Sequence, residues 1–146
     1  MRTQSLKRLG GLAAIVAFLA PVALSAQSAP APATTLGSVS LPKKVMADGQ
    51  PLAAGTYSLR LSTEAVKPVV GQPPDSEKWV EFVQGGSVKG RELASVVTDP
   101  DAKKIAKMTT PSSGTAKVQT LKGNDYIRVW INRGGTHYLV HLTATP

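Results

Sequence analysis

The stretch from Asp125 to Thr143, DYIRVWINRGGTHYLVHLT, constrains the fold more than any other part of the chain. Both of its arms are dense in β-branched and aromatic residues, the types that fit a pleated surface. Alternation along the first arm sets Ile127, Val129 and Ile131 on one face and Tyr126, Arg128, Trp130 and Asn132 on the other. The second arm divides the same way, into Tyr138, Val140 and Leu142 against His137, Leu139, His141 and Thr143. Between them, Gly134-Gly135 can take positive φ at both positions of a tight hairpin turn. With those two glycines as the loop, Ile131 meets Tyr138, Val129 meets Val140 and Ile127 meets Leu142. A one-residue slip would scatter this apolar set over both faces, so the register is fixed and these six residues are expected in the core.

The other face of the hairpin carries Tyr126, Arg128, Trp130, Leu139 and His141, with Trp130 opposite Leu139 and Arg128 opposite His141. Tyr126, Arg128, Trp130 and His141 are the candidate ligand-binding residues, because an aromatic-plus-basic platform on a sheet suits a sugar ring or an anionic group. The competing expectation is that a loop or second sheet covers this face, or that these are ordinary cross-strand pairs.

The chain opens with MRTQSLKR, then LGGLAAIVAFLAPVAL, then small residues around Ser25-Ala26. A basic start, a short apolar run and a small-residue site have the form of a secretory signal peptide over residues 1–26, with cleavage after Ala26 or, failing that, after Ala29. The run contains Pro21 and is too short for a stable membrane span. The mature protein is therefore expected in the periplasm or outside the cell. Residues 27–35, QSAPAPATT, read as a disordered Pro/Ala-rich linker, leaving residues 36–146 as one domain.

The sequence contains no cysteine, which removes disulfides, thiol nucleophiles and cysteine metal sites together. An apolar core alone must hold the domain, and roughly 110 residues suffice for that. Loss of Arg2, Lys7 and Arg8 with the leader lowers the formal charge from +8 to +5. Scattered lysines on an exported chain argue against nucleic acid as a partner. An envelope protein or an anionic polysaccharide is the expected partner class, with phospholipid headgroups a further source of negative charge.

Along the domain, Leu36 to Ala47 alternates loosely around Pro42 and reads as an edge strand, followed by an Asp48-Gly49 turn. Ser62 to Ser76, with Pro68, Pro73, Pro74 and Gly71, reads as a long loop with a short extended piece at Val69-Val70. Lys78–Gln84 and Val88–Val97 form a second pair of strands around Gly85-Gly86, with Trp79 expected in the core or at a strand end. Asp99-Pro100-Asp101 is a helix start, placing one short helix near 100–108 with Lys103, Lys104 and Lys107 on its solvated side. Ala116–Leu121 is a further strand, turned back at Gly123-Asn124.

The segment Leu52-Ala53-Ala54-Gly55-Thr56-Tyr57-Ser58-Leu59-Arg60-Leu61 resembles the L-x-x-G-x-Y-x-L segment of bacterial extracytoplasmic immunoglobulin-like β-sandwich domains. The resemblance implies that Gly55 permits the turn, that Tyr57 hydrogen-bonds upstream backbone at a sandwich corner, and that Tyr57, Leu59 and Leu61 face inward. It also implies an accessory, adhesive or assembly role. The chain departs from immunoglobulin domains in lacking the inter-sheet cysteines. The expected architecture is therefore all-β: an antiparallel, immunoglobulin-like β-sandwich of about seven strands with one short helix.

No catalytic constellation, cofactor motif or metal site is found in the sequence. His137 and His141, four apart on a strand, sit about 13 Å from each other, too far to share one ion. His141 beside Arg128 is a poor general base, since the neighbouring positive charge lowers its proton affinity. No serine lies in G-x-S-x-G, and no glycine pair precedes a helix as a phosphate loop does. Glu81 and Glu92 are the remaining carboxylates that a hydrolase or lyase would use, with His141. The expectation is a non-enzymatic exported module that binds a cell-surface or extracellular partner. The alternative is a structural subunit that self-associates through the edge strand at Leu36–Ala47.

Overall fold

The hairpin forms in the register its apolar pattern requires. The computed structural model describes residues 33–105 and 109–146. Strands β8 (Tyr126–Arg133) and β9 (Thr136–Ala144) pair Ile131 with Tyr138, Val129 with Val140 and Ile127 with Leu142. All six side chains are buried. Gly134 and Gly135 make the turn at φ +59° and +85°, a conformation that side-chain-bearing residues resist.

Seven further strands surround this hairpin: β1 (Thr35–Leu41), β2 (Val45–Ala47), β3 (Gln50–Leu52), β4 (Gly55–Leu61), β5 (Glu77–Gln84), β6 (Ser87–Thr98) and β7 (Thr115–Thr120). Every pairing is antiparallel. β9 is the hub. β8 runs along it with β7 beyond, while β6 pairs with Thr136–Val140 and β2 with Thr143 and Ala144. From β6 the sheet continues through β5 and β4 to β1. β1 then packs against β7 and β8, so the sheet curls until its two ends nearly meet. The protein is thus antiparallel all-β with one short helix, as expected, but its strands follow one continuous, barrel-like path.

The core fills the inside of this curl. Leu36, Val39 and Leu41 of β1, Tyr57 and Leu59 of β4, and Val80 and Phe82 of β5 meet the six hairpin residues there. Tyr57 lies edge-on to Phe82, ring centroids 6.1 Å apart. Its hydroxyl donates to the Ala53 carbonyl at 2.8 Å, the upstream backbone bond implied by the G-x-Y segment. Leu61 is only half-buried at the end of its strand. The short β2–β3 hairpin closes one end, and Leu52 lies so close to Gly90 that a Cβ added there would sit 3.0 Å from its Cδ2. Glycine in the middle of β6 therefore serves a close approach.

Several boundaries shift from the sequence reading. β1 begins at Thr35, inside the expected linker, because Thr35 pairs with Arg60. Pro42 falls in the bend that separates β1 from β2, so the expected edge strand is two strands. Val69-Val70 forms no strand: the Val69 carbonyl accepts from Gln72 N–H at 3.0 Å, closing a turn. Helix α1 spans Asp99–Ile105. The expected leader, most of the linker and the end of the expected helix (106–108) lie outside the described residues.

Candidate binding surface

The outward face of the β8–β9 hairpin is divided in two. At the turn end, α1 folds back over the sheet and covers Trp130. Ala102, the buried residue of the helix, packs with Trp130 and Leu139, and Val97 of β6 completes this second apolar cluster. Trp130 is fully buried, so the structure separates it from the other three candidate residues. The cover anticipated in the competing expectation exists, and it is a helix.

A hydrogen-bonded chain runs under the helix. Trp130 Nε1–H donates to His137 Nδ1 at 2.8 Å, and His137 Nε2 meets Asp99 Oδ1 at 2.9 Å. An indole nitrogen can only donate, so Nδ1 must accept and the imidazole proton must sit on Nε2, where it is given to the carboxylate. Asp99 is also paired with Lys103 at 3.0 Å. The hydrogen bond from His137, then that from Lys103, holds the Asp99 carboxyl below its ordinary value. Both His137 nitrogens are thus engaged on a fully buried ring, which leaves none to take a proton from a substrate. Sequence reasoning placed His137 and Trp130 on one face but missed Asp99 as their partner, because the fold-back of α1 is a tertiary event. The available signal was apolar: Trp130, Leu139 and Val97 share the outward side of three paired strands and need a cover.

The far end of the same face stays open. Arg128 stands opposite His141, and its Nε–H donates to His141 Nε2 at 3.0 Å. This bond requires a neutral imidazole with its proton on Nδ1. Partial burial first, and the Arg128 charge second, hold His141 below its ordinary 6.5. Tyr126, one pair further along the same face, is 49% exposed. Tyr126, Arg128 and His141 are therefore together as the sequence suggested.

The charge partners of the arginines differ. Arg60 bonds Glu81 at 2.6 Å, and Arg91 bonds Glu64 while lying 3.7 Å from Asp48. Arg91 also stacks on Trp79, 4.4 Å from the ring centroid, so Trp79 lies on the outer sheet surface and outside the main core. Among the described residues, no carboxylate reaches Arg128 within ion-pair distance.

Glu81 and Glu92 do not form a catalytic pair. Glu81 lies opposite Arg91, and Glu92, the next residue along, lies opposite Val80 and so faces the other side of the sheet. Glu92 instead accepts from the backbone N–H of Asp48 at 2.7 Å. Among the described residues, no three His, Cys, Asp or Glu side chains gather as metal ligands would. The concavity in the β4–β5 loop, beside Val66, Pro68 and Pro73, holds about 180 Å³, below the range of roughly 300–1,000 Å³ usual for small-molecule sites. A wider one of about 430 Å³ lies between Gln50 and Lys89, but its arginine, Arg91, is already paired with acids. Of the Leu36–Ala47 segment considered for self-association, β1 ends the sheet, with β4 as its one hydrogen-bonded neighbour strand among the described residues, and lies near β7 and β8, while β2 pairs with both β3 and β9.

Comparison with protein-family models, curated proteins and solved structures gave no match.

Proposed function

We propose that the protein is an exported, non-enzymatic β module that binds an anionic polysaccharide at the cell surface or outside the cell, through the open end of the β8–β9 face. The observation that carries this reading is Arg128: its side-chain partner is a neutral imidazole, whereas Arg60 and Arg91 are each held by carboxylates and Arg133 donates to the Thr35 carbonyl. A guanidinium with unspent donors is suited to an oxyanion, because carboxylate and sulfate present paired acceptors at matching spacing. Tyr126 beside it offers an exposed ring against which a sugar can pack. The formal charge of +5 expected after loss of the leader adds long-range attraction. The Tyr57–Ala53 hydrogen bond is the one implied by the resemblance of this segment to immunoglobulin-like domains, whose role is accessory more often than catalytic. Self-association through the Leu36–Ala47 segment has less support, since β2 is paired on both sides and β1 lies close to β7.

The test is binding of the protein to immobilised dextran sulfate, with neutral dextran as the blank. Arg128→Ala is expected to weaken binding about tenfold, equivalent to about 1.4 kcal/mol. Lys67→Ala, in the exposed β4–β5 loop, removes the same charge elsewhere and is expected to change it far less. Equal losses for the two variants would reduce the interaction to net charge and refute the site.

A further inference from the structure

The Arg128–His141 pair is an unusual way to hold an arginine. The hydrogen bond is spent on the lone pair of an imidazole, a side chain whose ordinary value lies near neutrality and which partial burial and Arg128 lower here. While the imidazole is neutral, Nε2 accepts the Arg128 Nε–H, and His141 offers its only proton at Nδ1. Uptake of a solvent proton at Nε2 puts an N–H against an N–H. The pair must then part, and two cations with free donors stand side by side on an exposed sheet face. Resting on the polysaccharide reading above, we propose that Arg128 and His141 form a two-pronged oxyanion site that tightens on the acid group of a sugar when His141 takes up a proton.

The surroundings of His141 leave this pairing in control. From β8 it faces Arg128 and, one pair along, Tyr126. On β9 its same-face neighbours are the uncharged Leu139 and Thr143. Across the other edge, β6 presents Leu93 one position past the Ala94–Val140 pair, and β2 sets Met46 opposite Thr143. Glu92 is on the opposite face, bonded to the Asp48 backbone. Arg128 is thus the one charged side chain facing the ring among the described residues. An anion bound between the two supplies the missing negative charge and favours the imidazolium. Linkage then demands the reverse: the proton must strengthen the anion's binding by the same factor. His141 is poised for this, because partial burial and Arg128 keep it neutral until an anion or acid arrives.

The experiment follows the imidazole resonances of His141 by NMR through a pH titration, with and without dextran sulfate, which stays ionised throughout. His137, whose two nitrogens are both engaged, is the internal reference. The His141 midpoint is expected to rise by about one pH unit with dextran sulfate present, and binding to be about tenfold tighter at about pH 5 than at about pH 7.5. His141→Gln keeps a polar side chain and is expected to bind with nearly equal strength at both values. Two results overturn the inference. If Arg128-dependent binding persists while the His141 midpoint stays fixed, the two-pronged site is wrong and the binding reading survives. If Arg128→Ala binds like the unaltered protein, both are wrong.

Discussion

Replacing Trp130 by Phe isolates the hydrogen bond beneath α1. The change keeps an aromatic ring against Leu139 and Ala102 but removes the N–H that His137 Nδ1 accepts. His137 is fully buried, so no water replaces the lost donor. An orphaned buried acceptor costs about 1–3 kcal/mol. The missing part of the indole leaves a void of roughly 40 Å³, worth about 1 kcal/mol at about 24 cal/mol per Å³. The total is about 2–4 kcal/mol, which lowers Tm by roughly 8–16 °C for a domain of this size. His137→Leu leaves the Trp130 N–H without its acceptor and costs about 1–3 kcal/mol for the same reason. In the double variant neither polar group is left waiting for the other. Urea unfolding followed by circular dichroism is therefore expected to give a double-variant loss at least about 1 kcal/mol smaller than the sum of the singles. Additivity within about 0.5 kcal/mol would show that the two rings are not bonded, and would remove the argument for how α1 is held.

Asp99 links the same assembly to pH. Its folded-state value lies below the ordinary 3.8, so its stabilisation is complete above that value and is lost as pH falls through the folded one. Asp99→Asn is expected to lower stability at neutral pH and to flatten the decline below about pH 4 in acid-unfolding curves; a parallel curve would contradict this. His141 gives the same sign from the opposite cause: partial burial and Arg128 disfavour its charged form, so acid below its ordinary 6.5 disfavours the folded state, and His141→Gln is expected to remove that slope. Gly90→Val forces two methyls against Leu52 and is expected to cost about 1–3 kcal/mol in thermal or urea unfolding. Tyr57→Phe deletes the bond to the Ala53 carbonyl and is expected to cost about 1 kcal/mol, read as a shift in the urea midpoint with unchanged slope.

The parts of the fold that could be read from the sequence are those set by neighbours along the chain. The hairpin register follows from period-two alternation about a glycine pair, and a tight turn has only one way to satisfy it. The Tyr57 bond spans four residues, and the start of α1 is written in Asp99-Pro100-Asp101, so both are local. What escaped was long-range. Nothing near Trp130 in sequence announces that a helix some thirty positions earlier will cover it, because β6, which leads into that helix, pairs with β9 across the intervening β7 and β8 of the chain. The curl that brings β1 alongside β7 is likewise the sum of twists and bulges, such as the register shifts at Thr35/Gly37 and Phe82/Val83. The candidate site shows the same division. The cross-strand Arg128–His141 pair was legible, and so was the prospect of a cover over this face; that the cover is α1 and seals Trp130 alone of the four candidate residues was not.

That sealing can be measured directly in a Trp79→Phe protein, where Trp130 is the sole tryptophan. A fully buried indole under α1 is expected to emit at short wavelength and to resist quenching by iodide, both unchanged when dextran sulfate binds next to Arg128. A long-wavelength emission that iodide quenches freely in the folded protein would place Trp130 on the surface and contradict the division of the hairpin face into a closed half and an open one.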